Sequence, residues 1–177
     1  GINTIIEIAK QIPHIKFHII GGTKEEIKKI ILHNSDLTNI IWHGYLCPKE
    51  AYKVLANEID IALLPNEPDV YVGEKRNVNI GKWTSPIKMF EYMSYRKAII
   101  ASDIEVIKEI LINNQNALLV KYDSVQEWKE AILYLCENKD KYNDLCDTAY
   151  NDFYNNYSWD IRAKKAMNML QINSRKK

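Results

Sequence analysis

Apolar residues recur at helical spacing over the first twelve positions (Ile2, Ile5, Ile6, Ala9, Ile12) and stop at Pro13, whose ring cannot continue a helix. Lys16–Ile20 is then a short β-prone run closed by Gly21 and Gly22, the signature of a strand running into a turn. Lys24–His33 returns to a charged, amphipathic helical pattern behind Thr23, a good capping residue. The alternation repeats: a strand at Asn39–His43 ending at Gly44, a helix at Pro48–Asn57, and a strand at Ile59–Leu64 ending at Pro65. A helix at Pro86–Tyr95, a strand at Ala98–Ala101, a helix at Glu105–Ile112 and a strand at Ala117–Val120 follow. From Val125 the pattern predicts helix in three pieces, with Ser158 placed to cap the last.

Strands separated by single helices predict right-handed parallel crossovers, and so an α/β fold with a doubly wound parallel sheet and a helical C-terminal tail. Ligands in such sheets sit outside the carboxyl ends of the strands. Two features break the regularity. The chain opens on a helix where a doubly wound domain opens on a strand, so one element is expected upstream. The stretch from Pro65 to Thr84 shows little periodicity, and loops of about 20 residues in compact domains are usually functional or mobile, so a ligand-covering loop and a disordered insertion both fit.

Composition narrows the classes. Lys and Arg (24) nearly cancel Asp and Glu (23), which argues against a nucleic-acid partner or an anionic membrane surface as the basis of function. Cys47, Cys136 and Cys146 are odd in number and lack metal-ligand spacing, so a reducing cytoplasm is expected rather than a disulfide framework. No apolar run approaches the roughly 18 residues of a membrane span, and no stretch reads as a signal peptide. His14, His18, His33 and His43 show no paired ligand spacing, and His18 and His43 fall inside predicted strands. A satisfied, partly buried histidine is the expectation there, and no metal is expected.

The chemistry concentrates in Ser85-Pro-Ile-Lys-Met-Phe-Glu-Tyr-Met-Ser94. Ser85 suits the N-cap and Pro86 the first turn. The first-turn amides and the helix dipole then make an anion site, to which Lys88 adds a charge. Glu91, three positions on, shares that face and can accept hydrogen bonds from a diol. A phosphate at the helix mouth beside a carboxylate for ribose hydroxyls is what a nucleotide requires. The same spacing equally suits an exposed Lys88–Glu91 ion pair worth a few tenths of a kcal/mol, with Pro86, Phe90 and Met93 as a core-facing stripe.

This stretch resembles the donor-binding signature of group 1 glycosyltransferases, a large retaining family with a GT-B fold. Phe17-His-Ile-Ile-Gly-Gly22, Asn39-Ile-Ile-Trp-His-Gly-Tyr45, Glu58-Ile-Asp-Ile-Ala-Leu-Leu-Pro65, Arg96-Lys-Ala-Ile-Ile-Ala-Ser102 and Asn116-Ala-Leu-Leu-Val120 resemble its other elements in order and spacing. The resemblance runs from Gly1 to about Trp159. It implies a Rossmann-like C-terminal half of a GT-B enzyme that binds a nucleotide-diphosphate sugar, with residues 1–157 as the donor domain and 158–177 as a C-terminal helix. It implies Gly44, Tyr45 and Leu46 at the base and Glu91 on the ribose. Ser85, Pro86, Ile87 and Lys88 fall at the diphosphate, Lys88 as a stabiliser of the leaving group, and Gly21 and Gly22 line the cleft. The implied acceptor is a glycan or lipid-linked molecule, as in polysaccharide biosynthesis, with peripheral membrane contact open to the full-length enzyme.

The departures are specific. Trp83 stands where many members carry a second glutamate for the donor sugar, and Glu67, Asp69 or Glu74 would have to compensate. Pro86 lacks an amide proton, and Arg96 stands where glycine is usual. Gly1 aligns just after a cationic clamp, so the first strand, the clamp and the acceptor-binding domain are expected to lie outside this sequence, leaving the fragment alone inactive. Two rival readings share the fold: a nucleotide-sugar epimerase or hydrolase, and a non-catalytic nucleotide-binding module. A dinucleotide dehydrogenase is disfavoured because no G-x-G-x-x-G follows a strand.

Overall fold

The structure, a computed structural model, describes residues 1–72, 77–83 and 86–174, with side chains described to residue 168. The elements run α1 (Ile2–Gln11), β1 (Phe17–Ile20), α2 (Lys24–His33), β2 (Ile40–Gly44), α3 (Pro48–Glu58), β3 (Ile61–Leu64), β4 (Tyr71–Val72) and β5 (Val78–Asn79). After a 3-10 turn at Gly81–Trp83 come α4 (Ile87–Ser94), β6 (Ala98–Ser102), α5 (Glu105–Lys108), β7 (Leu118–Val120), α6 (Val125–Glu137), α7 (Lys139–Asp152) and α8 (Trp159–Ser174). Among the described residues no helix is long and apolar enough to cross a membrane.

The parallel sheet is in two hydrogen-bonded pieces. β1 pairs with β2, and β3, β6 and β7 pair in that order, all in parallel. Among the described residues β1 and β3 each pair along one side only. β6 shows why both faces are covered. All five of its residues are buried, with Ala98 and Ile100 facing a core shared with α1, α6, β1 and β2. Ile99 and Ala101 face the opposite core, built with Met89 and Met93 of α4, Ile107 of α5 and Ala149 of α7. Side chains alternate across a strand, so a strand buried on both faces reads as one continuous apolar run. Asn39, itself buried, ties α1 to this sheet: its amide donates to the carbonyls of Ala9 and Ile15, 3.0 Å each.

Local chemistry explains most boundaries. The Thr23 hydroxyl accepts from the Glu26 amide and the Glu26 carboxylate accepts from the Thr23 amide, a reciprocal cap that starts α2. Three expectations need correction. Pro86 occupies the N-cap position of α4, and the first helical residue is Ile87. The predicted 105–112 helix stops at Lys108, after which Asn116 turns the chain by accepting from the Ile112 amide and donating to the Ile110 carbonyl. Ser158 stands at the N-cap position of α8, its carbonyl accepting from the Arg162 amide at 3.0 Å, while its hydroxyl donates back to the Tyr154 carbonyl and adds an unexpected tie. The aperiodic loop contains an antiparallel hairpin, β4–β5. Asn79 pins it, accepting from the amides of Val70 (3.1 Å) and Gly81 (2.9 Å). A Cβ at Gly81 would stand 1.9 Å from the Pro68 carbonyl oxygen, so only glycine fits there.

Two turns bear on α4. At its end the Lys97 amide donates to the Tyr92 carbonyl and the Arg96 amide to the Met93 carbonyl. That Schellman pattern requires a left-handed residue, and Arg96 supplies it at φ 52°. Glycine would relieve about 1 kcal/mol of strain, but Arg96 also pairs with Asp147 across an exposed surface, an interaction worth at most about 1 kcal/mol. Arg96→Gly is therefore expected to leave the unfolding free energy within about 1 kcal/mol of the parent, checked by urea denaturation. Between α7 and α8 the chain makes one wide turn, Phe153–Tyr157, closed by a bond from the Ser158 amide to the Phe153 carbonyl at 3.0 Å.

Candidate functional site

Three glycines mark the carboxyl edge beside β1 and β2. Gly21, Gly22 and Gly44 all have positive φ (117°, 82° and 66°), and the Gly21 amide donates to the Gly44 carbonyl at 2.7 Å. The turn after β1 and the turn after β2 are thus stitched together. A side chain at any of the three would be strained, which keeps this edge as bare backbone. Tyr45 is exposed and Leu46 half-buried just beyond it, immediately ahead of α3.

From there α3 reaches α4. The Tyr52 hydroxyl donates to Glu91 Oε1 at 3.5 Å, and the Tyr52 and Tyr95 rings stack with centroids 5.5 Å apart. Glu91 Oε2 accepts from Lys88 Nζ at 2.7 Å. The two partners of that ion pair differ in burial: the Lys88 side chain is 59% exposed and the Glu91 side chain 19%. Met89 and Met93 anchor the buried face of α4, so Glu91 is carried on a helix that cannot easily rotate. Next to it the Tyr92 phenol is pushed up to about 12, first by burial and then by the Glu91 charge, and it stays neutral below that range.

The ion pair read from the sequence as the alternative is therefore formed. It does not fix Lys88 in place. An exposed i, i+3 pair is worth only a few tenths of a kcal/mol, whereas a hydrogen bond to a charged group is worth about 1.5–3 kcal/mol. An anion at the mouth of α4 would draw Lys88 away from Glu91. The amides of Ile87 and Lys88 have no acceptor inside the helix, whereas the Met89 amide donates to the Pro86 carbonyl at 3.0 Å, and Ile87 is exposed at the helix mouth. Ser85 and Glu74 lie outside the described residues. Of the other loop acids, Glu67 lies 3.5 Å from the Gly1 nitrogen and Asp69 accepts from the Asn79 amide. Trp83 is exposed.

The structure thus brings Gly21, Gly22 and Gly44 together, and joins Lys88 and Glu91 to the segment after Gly44 through α3. Tyr52 is the residue that sequence reasoning missed. Its only signal is a tyrosine one turn into the helix that follows the Gly44 turn. His18 and His43 show no partner in the sequence, and the structure sets them in contact with each other.

Comparison with known proteins bears on this arrangement. The family model described as "Glycosyl transferases group 1" matches residues 2–138. This chain belongs to the group 1 glycosyltransferase family. None of the curated proteins matches the sequence. Among solved structures, a point mutant of TarM from S. aureus, in complex with fondaparinux, alpha-GlcNAc-glycerol and UDP, is 21% identical with a TM-score of 0.72, over 95% of this chain and 32% of that one. The C-terminal domain of the group 1 protein LpcC from Francisella tularensis is 18% identical with a TM-score of 0.68, over 90% of this chain and 80% of that one. HepE from Anabaena, in complex with UDP-glucose, is 15% identical with a TM-score of 0.72, over 97% of this chain and 45% of that one. The fold is the Rossmann-like half of a GT-B architecture, and the chain spans less than half the length of TarM and HepE.

Proposed function

We propose that this chain is the donor-binding part of a glycosyltransferase and holds a nucleotide-diphosphate sugar across the carboxyl edge of its sheet. The observation that supports the reading is Glu91, its side chain 19% exposed one turn inside α4 and its Oε1 facing the Tyr52 hydroxyl at 3.5 Å. A fixed carboxylate at that depth suits the two hydroxyls of a ribose, with the diphosphate at the helix mouth beside Ile87 and Lys88. Pro86 brings no amide proton, so its part is to set the backbone that enters the helix. Gly44, Tyr45 and Leu46 border the base, and Gly21 and Gly22 let the donor approach the backbone closely. Family membership supports the reading, as do the UDP and UDP-glucose carried by the TarM and HepE structures.

In this reading the bond between the sugar's anomeric carbon and the diphosphate oxygen breaks, with retention, as an acceptor hydroxyl's oxygen bonds to that carbon and its proton passes to the departing diphosphate. Negative charge grows on the departing diphosphate, where the α4 amides, the helix dipole and Lys88 oppose it. Leaving-group stabilisation is assigned to these groups rather than to a resident metal. Residues 1–157 form the donor unit, followed by α8, described over Trp159–Ser174. The acceptor is a glycan or lipid-linked molecule, and the enzyme works in the cytoplasm.

Calorimetry of the full-length protein with UDP, GDP, ADP and dTDP tests the binding half. One of the four is expected to bind in the micromolar range, and failure of all four would overturn the reading. Product analysis with the matching sugar nucleotide tests the chemistry. Consumption that requires an acceptor supports transfer, and consumption without one contradicts it.

A further inference from the structure

We propose that His18, His43 and Glu58 form a zinc site that ties β1, β2 and α3 together, independent of the donor site. The three residues are well separated in sequence, and the fold gathers them. Parallel pairing of β1 with β2 puts His18 and His43 on one face, and Glu58 ends α3 beside them. His18 Nδ1 lies 3.1 Å from His43 Nε2 and 3.6 Å from Glu58 Oε2. All three candidate ligand atoms fall within 4.8 Å of one another.

Those distances match a coordination shell. Two ligands each ~2.0–2.1 Å from a tetrahedral zinc stand about 3.4 Å apart, and the two measured separations bracket that value. The proton count points the same way. Three potential ligand atoms gather around His18 Nδ1, and a proton between the two imidazoles engages only two of them, whereas a divalent cation would engage all three. Two imidazole nitrogens and one carboxylate oxygen are a donor set that zinc favours over calcium or magnesium.

The surroundings suit a site that is held yet reachable. The His18 side chain is 9% exposed and the Glu58 side chain 51%, so one ligand is fixed by packing while another borders solvent. The two rings stack at 5.2 Å with 27° between their planes, which limits their rotation. Three protein ligands leave a fourth position for water. The expected role is structural, since the site joins the two-stranded piece of the sheet to the helix that carries Tyr52.

The test titrates the metal-free full chain with zinc chloride, by calorimetry and by thermal unfolding, beside His43→Gln and Glu58→Gln. The parent is expected to bind one zinc per chain and to gain roughly 5–10 °C in Tm at a hundredfold excess over Kd. Each variant is expected to lose at least about tenfold in affinity, with circular dichroism confirming that it is folded. Glu58→Gln changes a half-exposed helix end and keeps the test informative if His43→Gln does not fold. Cobalt(II) in place of zinc is expected to give visible bands without a thiolate charge-transfer band. No saturable binding, equal affinity in both variants, or a thiolate band from Cys47 or Cys136 would each overturn the proposal.

Discussion

Glu91→Ala is expected to weaken binding of the preferred nucleoside diphosphate to the full-length protein by about 10- to 100-fold, measured by calorimetry. Hydrogen bonds to a charged acceptor are worth about 1.5–3 kcal/mol, and each 1.4 kcal/mol is roughly tenfold in affinity. The fold should be almost indifferent. The substitution removes an exposed ion pair with Lys88 and one long contact with Tyr52, together worth under about 1 kcal/mol. Glu91→Gln keeps the acceptor oxygen but loses its charge, and should fall between the two. If the alanine variant bound every nucleotide as tightly as the parent, Glu91 would have no part in holding the ribose.

Trp128→Ala is the change expected to cost the most stability. Trp128 is fully buried on α6, at the centre of the core that joins α1, both pieces of the parallel sheet and α7. Its indole nitrogen also donates to the Lys121 carbonyl at 3.1 Å, fixing the turn that leads out of β7. Truncating a buried tryptophan costs about 3–5 kcal/mol, a large share of the roughly 5–15 kcal/mol that holds a domain folded. A drop in Tm on the order of 10 °C is expected by calorimetry or circular dichroism. Trp128→Phe should fall well short of that, because it keeps most of the apolar volume and loses mainly the hydrogen bond. A loss below about 1 kcal/mol in the alanine variant would contradict the placement of Trp128.

The fold was legible wherever burial and local chemistry agreed. Ile2–Gln11 was readable from its helical apolar spacing, Lys24–His33 from its Thr23 cap, and Ala98–Ser102 from its continuous apolar run. The errors lie where a polar side chain sets a turn through bonds to backbone a few residues away. The early end of α5 depends on Asn116 reaching back to Ile110 and Ile112, and the hairpin inside the long loop depends on Asn79. Neither asparagine contributes to hydrophobic periodicity. The division of the parallel strands into two pieces was equally hidden, since pairing is a property of the folded sheet.

At the candidate site, the sequence located the Lys88–Glu91 turn and the three glycines because turn chemistry and helix spacing are local. Tyr52 was invisible for the opposite reason. It meets Glu91 across a gap of 39 residues that only packing of α3 beside α4 closes. The pairing of His18 with His43 was hidden in the same way, although two histidines on the same face of neighbouring strands were readable once the register of β1 and β2 was known.

The wide turn at Phe153–Tyr157 has a consequence for α4. Tyr157 meets Phe90 with ring centroids 5.4 Å apart, on the flank of α4 away from Tyr52. The closing turn therefore meets α4 through Phe90, while α3 meets it through Tyr52 at Glu91 and Tyr95. Residues far from Glu91 in sequence thus help to hold the helix that carries it.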